Sequence, residues 1–172
     1  MTATPASTAP SFVVRAAAPD DCDAIVALIR GLADYEHLTH LLEVTPAALR
    51  EHLFGARPFA EAAIARDADG GALGFALWFH NYSTFLGKPG VYLEDLYVVP
   101  EARGRGVGQA LIGHVGALAV ARGCGRFEWS VLDWNESAIG FYESLGATVL
   151  PEWRIVRVSG AALESFRRAP GE

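Results

Sequence analysis

Residues 91–109 read V-Y-L-E-D-L-Y-V-V-P-E-A-R-G-R-G-V-G-Q, and the fold follows from how this stretch changes character along its length. Tyr92, Leu93, Leu96, Tyr97, Val98 and Val99 are aromatic, branched or aliphatic, a composition that fits a strand, and Pro100 stops it. Three glycines follow, Gly104, Gly106 and Gly108, and then Val107, Leu111, Val115 and Leu118 recur at helical spacing. A strand that feeds a glycine-rich turn opening a helix meets the needs of a pyrophosphate. Glycine lets the backbone approach the anion, and the free N–H groups and dipole of the helix start face it. Arg103 and Arg105 add cations beside the same turn. The segment reads as an anion cradle.

Its spacing excludes two common cradles. A P-loop carries Lys-Ser or Lys-Thr after its last glycine, whereas Gln109-Ala110 stand here. The dinucleotide fingerprint places its third glycine three residues after the second, and position 109 is glutamine. Arg103-x-x-Gly106-x-Gly108 instead resembles the acyl-CoA signature of the GNAT N-acetyltransferases.

Working outward, the 172 residues fit one domain with a sizeable core, expected over residues 12–168 behind a disordered lead at 1–11. Hydrophobic residues make up 51% of the chain, and no apolar run reaches membrane-spanning length. A net charge of −6 disfavours nucleic acid and anionic membranes as partners. Cys22 and Cys124 are far apart and read as free thiols in a reducing compartment, and the N-terminus lacks the pattern of a secretory signal. A cytoplasmic setting is expected. His37, His40, His52, His80 and His114 form no convincing ligand spacing, so no metal is expected.

The remaining pattern predicts an α/β chain in the order β-α-α-β-β-β-α-β-α-β-β. Phe12 to Arg15 form a strand. Pro19 opens a helix whose first turn carries Asp20 and Asp21, and Ile25, Leu28, Ile29 and Leu32 form its buried stripe. Thr45-Pro46 starts a second helix. Ala62 to Arg66 and Ala72 to Tyr82 read as strands around Asp69-Gly70-Gly71. After the cradle helix come a strand from Phe127 to Leu132, a helix capped by Asn135 and ended by Gly146, a late strand from Trp153 to Val158, and a short helix or tail.

Several further segments resemble the diamine (spermidine/spermine-type) N-acetyltransferases. They are V-R-A-A-A-P-D-D from residue 14, L-A-D-Y-E at 32–36, L-E-D-L-Y-V at 93–98, W-N-E-S-A-I-G-F-Y-E-S-L-G at 134–146 and E-W-R-I-V-R-V at 152–158. The likeness runs from about Val13 to about Phe166. It implies a GNAT fold, a mixed and mostly antiparallel sheet flanked by helices and splayed at the signature strand, with acetyl-CoA in the split, and a homodimer. It places the cofactor along Leu96, Tyr97 and Val98, in the cradle from Arg103 through Gly104, Arg105, Gly106, Val107 and Gly108 to Gln109, and on Asn135 and Tyr142.

The implied chemistry distributes roles among these residues. An alkylammonium has a pKa of roughly 10, so an attacking amine must first lose a proton. Glu94 is the candidate base or substrate anchor, and strand alternation sets Asp95 on the opposite face unless a bulge intervenes. A backbone N–H at Tyr97 or Val98 would hold the oxyanion. Tyr142 would protonate the departing thiolate, or serve the core of its helix. Asn135 would bind the pantetheine amides, or only cap. Tyr35, Glu36, Asp95 and Trp153 are candidate acceptor contacts, with Glu36 alternatively a solvated helix end and Trp153 a core residue. Ser83 and Phe85 stand where the polyamine enzymes carry an acid and a tryptophan, which points to shorter amines than spermidine. The expected activity is acetylation of a small cationic amine. The competing readings are a peptide N-acetyltransferase and a non-catalytic acyl-CoA sensor.

Overall fold

The computed structural model describes residues 12–167. The expected lead at 1–11 and residue 168 lie outside the described residues. The described chain falls into two compact units, 12–130 and 131–167.

The first unit is built on a five-stranded sheet in the order β1-β2-β3-β4-β5. Its strands are β1 (Phe12–Ala16), β2 (Glu61–Asp67), β3 (Ala72–Ser83), β4 (Lys88–Val98) and β5 (Arg126–Trp129). The first four pair antiparallel and β5 joins β4 in parallel, so the mixed, mostly antiparallel α/β architecture is present. Helices α1 (Cys22–Tyr35) and α2 (Pro46–Phe54) cover one face. There Cys22, Ile25, Leu28, Leu49 and Leu53 pack with Ile64, Phe75 and Tyr97 into the core. The cradle helix α3 (Val107–Ala121) takes the opposite face, where His114 meets Trp78 edge-on.

That face can hold a helix close because its strand residues are small. Ala63, Ala65, Gly74 and Ala76 alternate with the larger core residues across β2 and β3. Gly74 is held hardest: a Cβ there would lie 2.5 Å from the Tyr97 carbonyl oxygen and 3.2 Å from Leu111.

Two departures from regular pairing shape β4. Asp95 pairs with Leu77, but Leu93 pairs with Trp78, so Glu94 is an extra residue without a cross-strand partner. On the other side, β5 accompanies β4 only from Gly90 to Leu93. Beyond Leu93 the two strands part. The strand expected to reach Leu132 therefore ends at Trp129, with Ser130 hydrogen bonded to the Tyr92 hydroxyl at 2.7 Å.

In the second unit, α4 (Glu136–Ser144) is capped by Asn135, whose Oδ1 accepts from the Ala138 N–H at 3.2 Å. The chain after α4 turns at Gly146 in a left-handed conformation. The late strand expected over Trp153–Val158 is absent: these residues are irregular and belong to no ladder. Their alternation satisfies one requirement of a strand, but a ladder partner is the other. A short helix α5 (Gly160–Glu164) follows.

Asp21 was expected to complement a helix dipole, and it does something stronger. Its carboxylate is 3% exposed and accepts from Arg15 at 2.6 and 2.9 Å, from Arg66 at 2.8 and 3.2 Å, and from the Ala18 N–H at 2.8 Å. This ties the entry of α1 to β1 and β2. The Arg15 hydrogen bonds hold the Asp21 carboxyl far below the usual carboxylate range. A depressed carboxyl stabilises the fold fully above its unfolded pKa and loses that contribution as pH falls toward the folded value. Asp21→Asn should therefore cost about 1–3 kcal/mol at neutral pH. Thermal unfolding of the two proteins should differ by a constant amount from pH 7 to 5 and converge progressively below about pH 4.

Candidate active site

Where β4 and β5 part, the β5-side backbone groups of residues 94–98 have no strand to pair with. The Val99 N–H donates to the Leu73 carbonyl at 2.9 Å, so by antiparallel alternation Val98 turns its own N–H and C=O away from β3. Of the two oxyanion donors expected from sequence, Val98 is the one that faces the opening, and Tyr97 faces β3. The exposed row of peptide groups can pair with the amides of an extended ligand as another strand would.

The row leads into the cradle. Pro100–Ala102 form a 3-10 turn, and Gly104 and Gly106 then adopt left-handed conformations with φ of 71° and 81°. Only glycine takes these angles without strain, and a Cβ at either position would project into open space. Gly106 stands at the start of α3 with no side-chain cap, leaving the first N–H groups of Val107, Gly108 and Gln109 for a ligand. Val107 is buried and anchors the helix start, whereas Gly104, Arg105 and Gln109 lie on the surface. An acyl-CoA pyrophosphate fits this arrangement of glycines, free donors and helix dipole.

Arg103, at the head of the cradle turn, is seated against two aromatic rings. Its guanidinium lies 5.0 Å from the Tyr35 ring centroid and 5.7 Å from that of Tyr97, and its Nε donates to the Val98 carbonyl at 3.1 Å. It thus bridges the end of α1 to the end of β4 by cation–π contact.

On the α1 face, beside the same stretch of β4, a cavity of about 190 Å³ opens. Ile29, Leu32, Ala33, Leu38, Leu41 and Leu42 wall it, and Glu36 and Asp95 supply its acids. The bulge at Glu94 explains why Asp95 is here: opposite Leu77 and two residues before Tyr97, it shares the face of the α1 core. The carboxyl of Asp95 is pushed up to about 6, first by burial and then by the charges of Glu94 and Glu36. Burial also raises Glu36. Glu94 itself is exposed. None of the three has an ion-pair partner among the described residues.

The expected site residues divide into groups. Glu36, Asp95, Leu96, Tyr97, Val98, Tyr35 and Arg103 come together around the end of α1 and β4. Ser83 and Phe85 do not join them within the chain. Ser83 pairs with Lys88 at the far end of the β3–β4 hairpin, buried, with its Oγ accepting from the Leu86 N–H at 3.3 Å. Serine at 83 is accounted for by this turn. Phe85 is 99% exposed at the tip. Asn135, Tyr142 and Trp153 belong to the second unit, where Asn135 caps α4 and the Tyr142 ring lies 5.3 Å from that of Phe141. Sequence reasoning missed the leucine walls of the cavity, although H-L-T-H-L-L directly after Glu36 is unusually apolar for a loop.

Comparison with known proteins agrees with this geometry. Residues 6–147 match the acetyltransferase (GNAT) family. The chain is 38% identical to a thialysine N-epsilon-acetyltransferase of Sus scrofa, over 91% of this chain and 97% of that protein. It is 34% identical to an L-ornithine N5-acetyltransferase of Arabidopsis thaliana, over 89% and 86%. An integron cassette protein from the mobile metagenome of V. cholerae superposes with a TM-score of 0.75 at 25% identity, covering 90% of this chain and 96% of that one.

The raised Asp95 carboxyl has a consequence for stability. Below its unfolded pKa the group is protonated in both states and costs nothing. As pH rises from about 4 to 6 the unfolded chain ionises first, and the fold loses stability up to a plateau. Asp95→Asn should therefore be more stable than the parent by about 1–2 kcal/mol at pH 7.5 and equal to it near pH 4. Thermal melts at the two pH values check this, and a destabilised variant at pH 7.5 would contradict the placement.

Proposed function

We infer the reaction from one premise: the chain belongs to the GNAT acetyltransferase family and is an amine N-acetyltransferase. From that premise we propose that it transfers acetyl from acetyl-CoA to the primary amine of a short cationic acceptor, a diamine or a lysine-, ornithine- or thialysine-like amino acid. The observation that carries this reading is the junction at β4, where an unpaired backbone edge runs into an anion cradle and borders a cavity with two unpaired acids. An extended thioester arm suits the edge, a pyrophosphate the cradle, and an ammonium on an alkyl stem the cavity.

Direct attack accounts for the residues without a covalent enzyme intermediate. Carboxylates at the cavity attract the ammonium, and its proton passes to one of two candidates, Asp95 in the cavity wall or Glu94 beside it. The neutral amine adds to the thioester carbon, and the Val98 N–H is oriented to donate to the oxygen that becomes negative. Tyr142 is assigned protonation of the departing CoA thiolate, and Asn135 the pantetheine amides, on the strength of the W-N-E-S-A-I-G-F-Y segment. The similarity to thialysine and L-ornithine acetyltransferases supports short acceptors over long polyamines. A homodimer and a cytoplasmic setting belong to the same reading.

A panel of amines assayed for free CoA tests the proposal. Diamines and basic amino acids should turn over with higher kcat/KM than spermidine or spermine. Acetylation confined to peptide α-amines would favour the peptide reading, and acetyl-CoA binding without any turnover would favour a sensor.

Tyr142→Phe separates acid catalysis from packing, because the ring is retained. Turnover should fall about 10²–10⁴-fold under conditions where chemistry limits the rate. Unchanged turnover removes the proton-donor role.

A further inference from the structure

We infer that Asp95, and not its neighbour Glu94, takes the proton from the acceptor's ammonium. This rests on the acetyltransferase reading and assigns one step within it. The bulge carries the argument. Without an extra residue at 94, Asp95 would fall on the α3 side with Trp78 and Leu93, away from the cavity. With it, Asp95 sits opposite Leu77 and lines the cavity, while Glu94 has no cross-strand partner and faces solvent. Asp95 is also three residues before Val98, on the same strand that presents the unpaired edge.

The surroundings suit a base. Those facing Asp95 from α1 are Ile29, Leu32, Ala33 and Glu36, and the segment after α1 contributes Leu38, Leu41 and Leu42. The charged groups acting on it are Glu36 and Glu94, both acidic. Among the described residues no guanidinium holds its oxygens, in contrast with Asp21. A carboxylate fixed by a cation is a weak base, whereas one in an apolar wall between two other acids is a stronger one. A carboxyl near 6 remains ionised at neutral pH and narrows the gap to an ammonium of roughly 10. Glu36 is then a positioning residue that keeps Asp95 basic.

Atoms and electrons balance through the transfer. An Asp95 oxygen forms a bond to one ammonium proton as the N–H bond breaks, leaving a neutral amine and a carboxylic acid. The nitrogen lone pair forms the C–N bond to the thioester carbon, and the C=O π pair moves onto oxygen. That pair returns as the C–S bond breaks, nitrogen loses its second proton, and the thiolate gains one. Asp95 releases its proton to solvent, so each turnover yields amide, CoA thiol and one proton.

The test is the pH dependence of kcat/KM and kcat from pH 4.5 to 9 for the best short amine, in the parent protein, Asp95→Asn, Glu94→Gln and Glu36→Gln. Acetyl-CoA affinity is followed by calorimetry. The parent should show an acidic limb with its midpoint near 6. In Asp95→Asn the limb should vanish and kcat fall about 10²–10⁴-fold, with acetyl-CoA affinity unchanged. Glu94→Gln should keep the limb, moved to lower pH because one of the two neighbouring charges is gone, and raise KM. Glu36→Gln should raise KM and move the limb to lower pH, a shift that a merely structural glutamate would not cause. Loss of the limb in Glu94→Gln, or an Asp95→Asn protein whose kcat stays within a few-fold, overturns the assignment. Failure of the parent protein to acetylate any amine overturns the acetyltransferase reading itself, a distinct result.

Discussion

Everything at the site depends on β4 losing one neighbour while keeping the other. From Gly90 to Leu93 the strand has β3 on one side and β5 on the other, and from Glu94 onward only β3 remains. A strand edge in the middle of a sheet leaves its peptide groups in need of another partner, water or ligand. Here the bare edge is short, and it opens toward the turn whose glycines and helix start attract an anion. A ligand that is an extended diamide at one end and a pyrophosphate at the other satisfies both demands in order. To fill the opening, such a ligand has to be long and polar along its arm.

The same parting allows the bulge. A strand fixed by ladders on both sides resists an extra residue, since the register of each neighbour would have to adjust. At Glu94 only the β3 ladder must accommodate it. One inserted residue then reverses the facing of every later position in β4, so Asp95 joins Tyr97 on the core face instead of lying with Leu93. Tyr97 in turn packs against α1 where Gly31 leaves room: a Cβ at 31 would come within 2.8 Å of the Tyr97 hydroxyl. Arg103 closes the arrangement from the other end through Tyr35 and Tyr97. The unpaired edge of β4, the cavity and the end of α1 are thus linked through two aromatic rings.

Much of this was legible in the sequence. Pro100 and the glycine spacing gave the end of β4 and the start of α3, Thr45 and Asn135 gave their caps, and Asp69-Gly70-Gly71 gave its turn, because each encodes a local backbone requirement. What was not legible depends on contacts between distant segments. Asp21 looked like a helix-start acid because its partners, Arg15 and Arg66, meet it only once β1 and β2 are paired. The facing of Asp95 hung on a bulge that no residue type announces. The alternation at 152–158 promised a strand, and alternation cannot supply a partner. Ser83 drew attention as a missing acid, yet its hydroxyl has local work in the hairpin turn.

Asp21 and Asp95 show how one residue type is put to opposite uses by its neighbours. Asp21 is buried and Asp95 is partly so, which disfavours charge in each. Asp21 receives two guanidiniums and a peptide N–H, so the ionised form prevails and the group stabilises the fold across the neutral range. Asp95 receives aliphatic walls and two further acids, so its ionised form is held at a cost. A site that stores unpaired negative charge in an apolar cavity is poised for a cation carrying an alkyl stem, because such a ligand relieves the repulsion and covers the leucines at once. The destabilisation at Asp95 and the attraction the cavity would exert on an ammonium are two aspects of one electrostatic arrangement. A neutral side chain at 95 would relieve the strain and remove the attraction together.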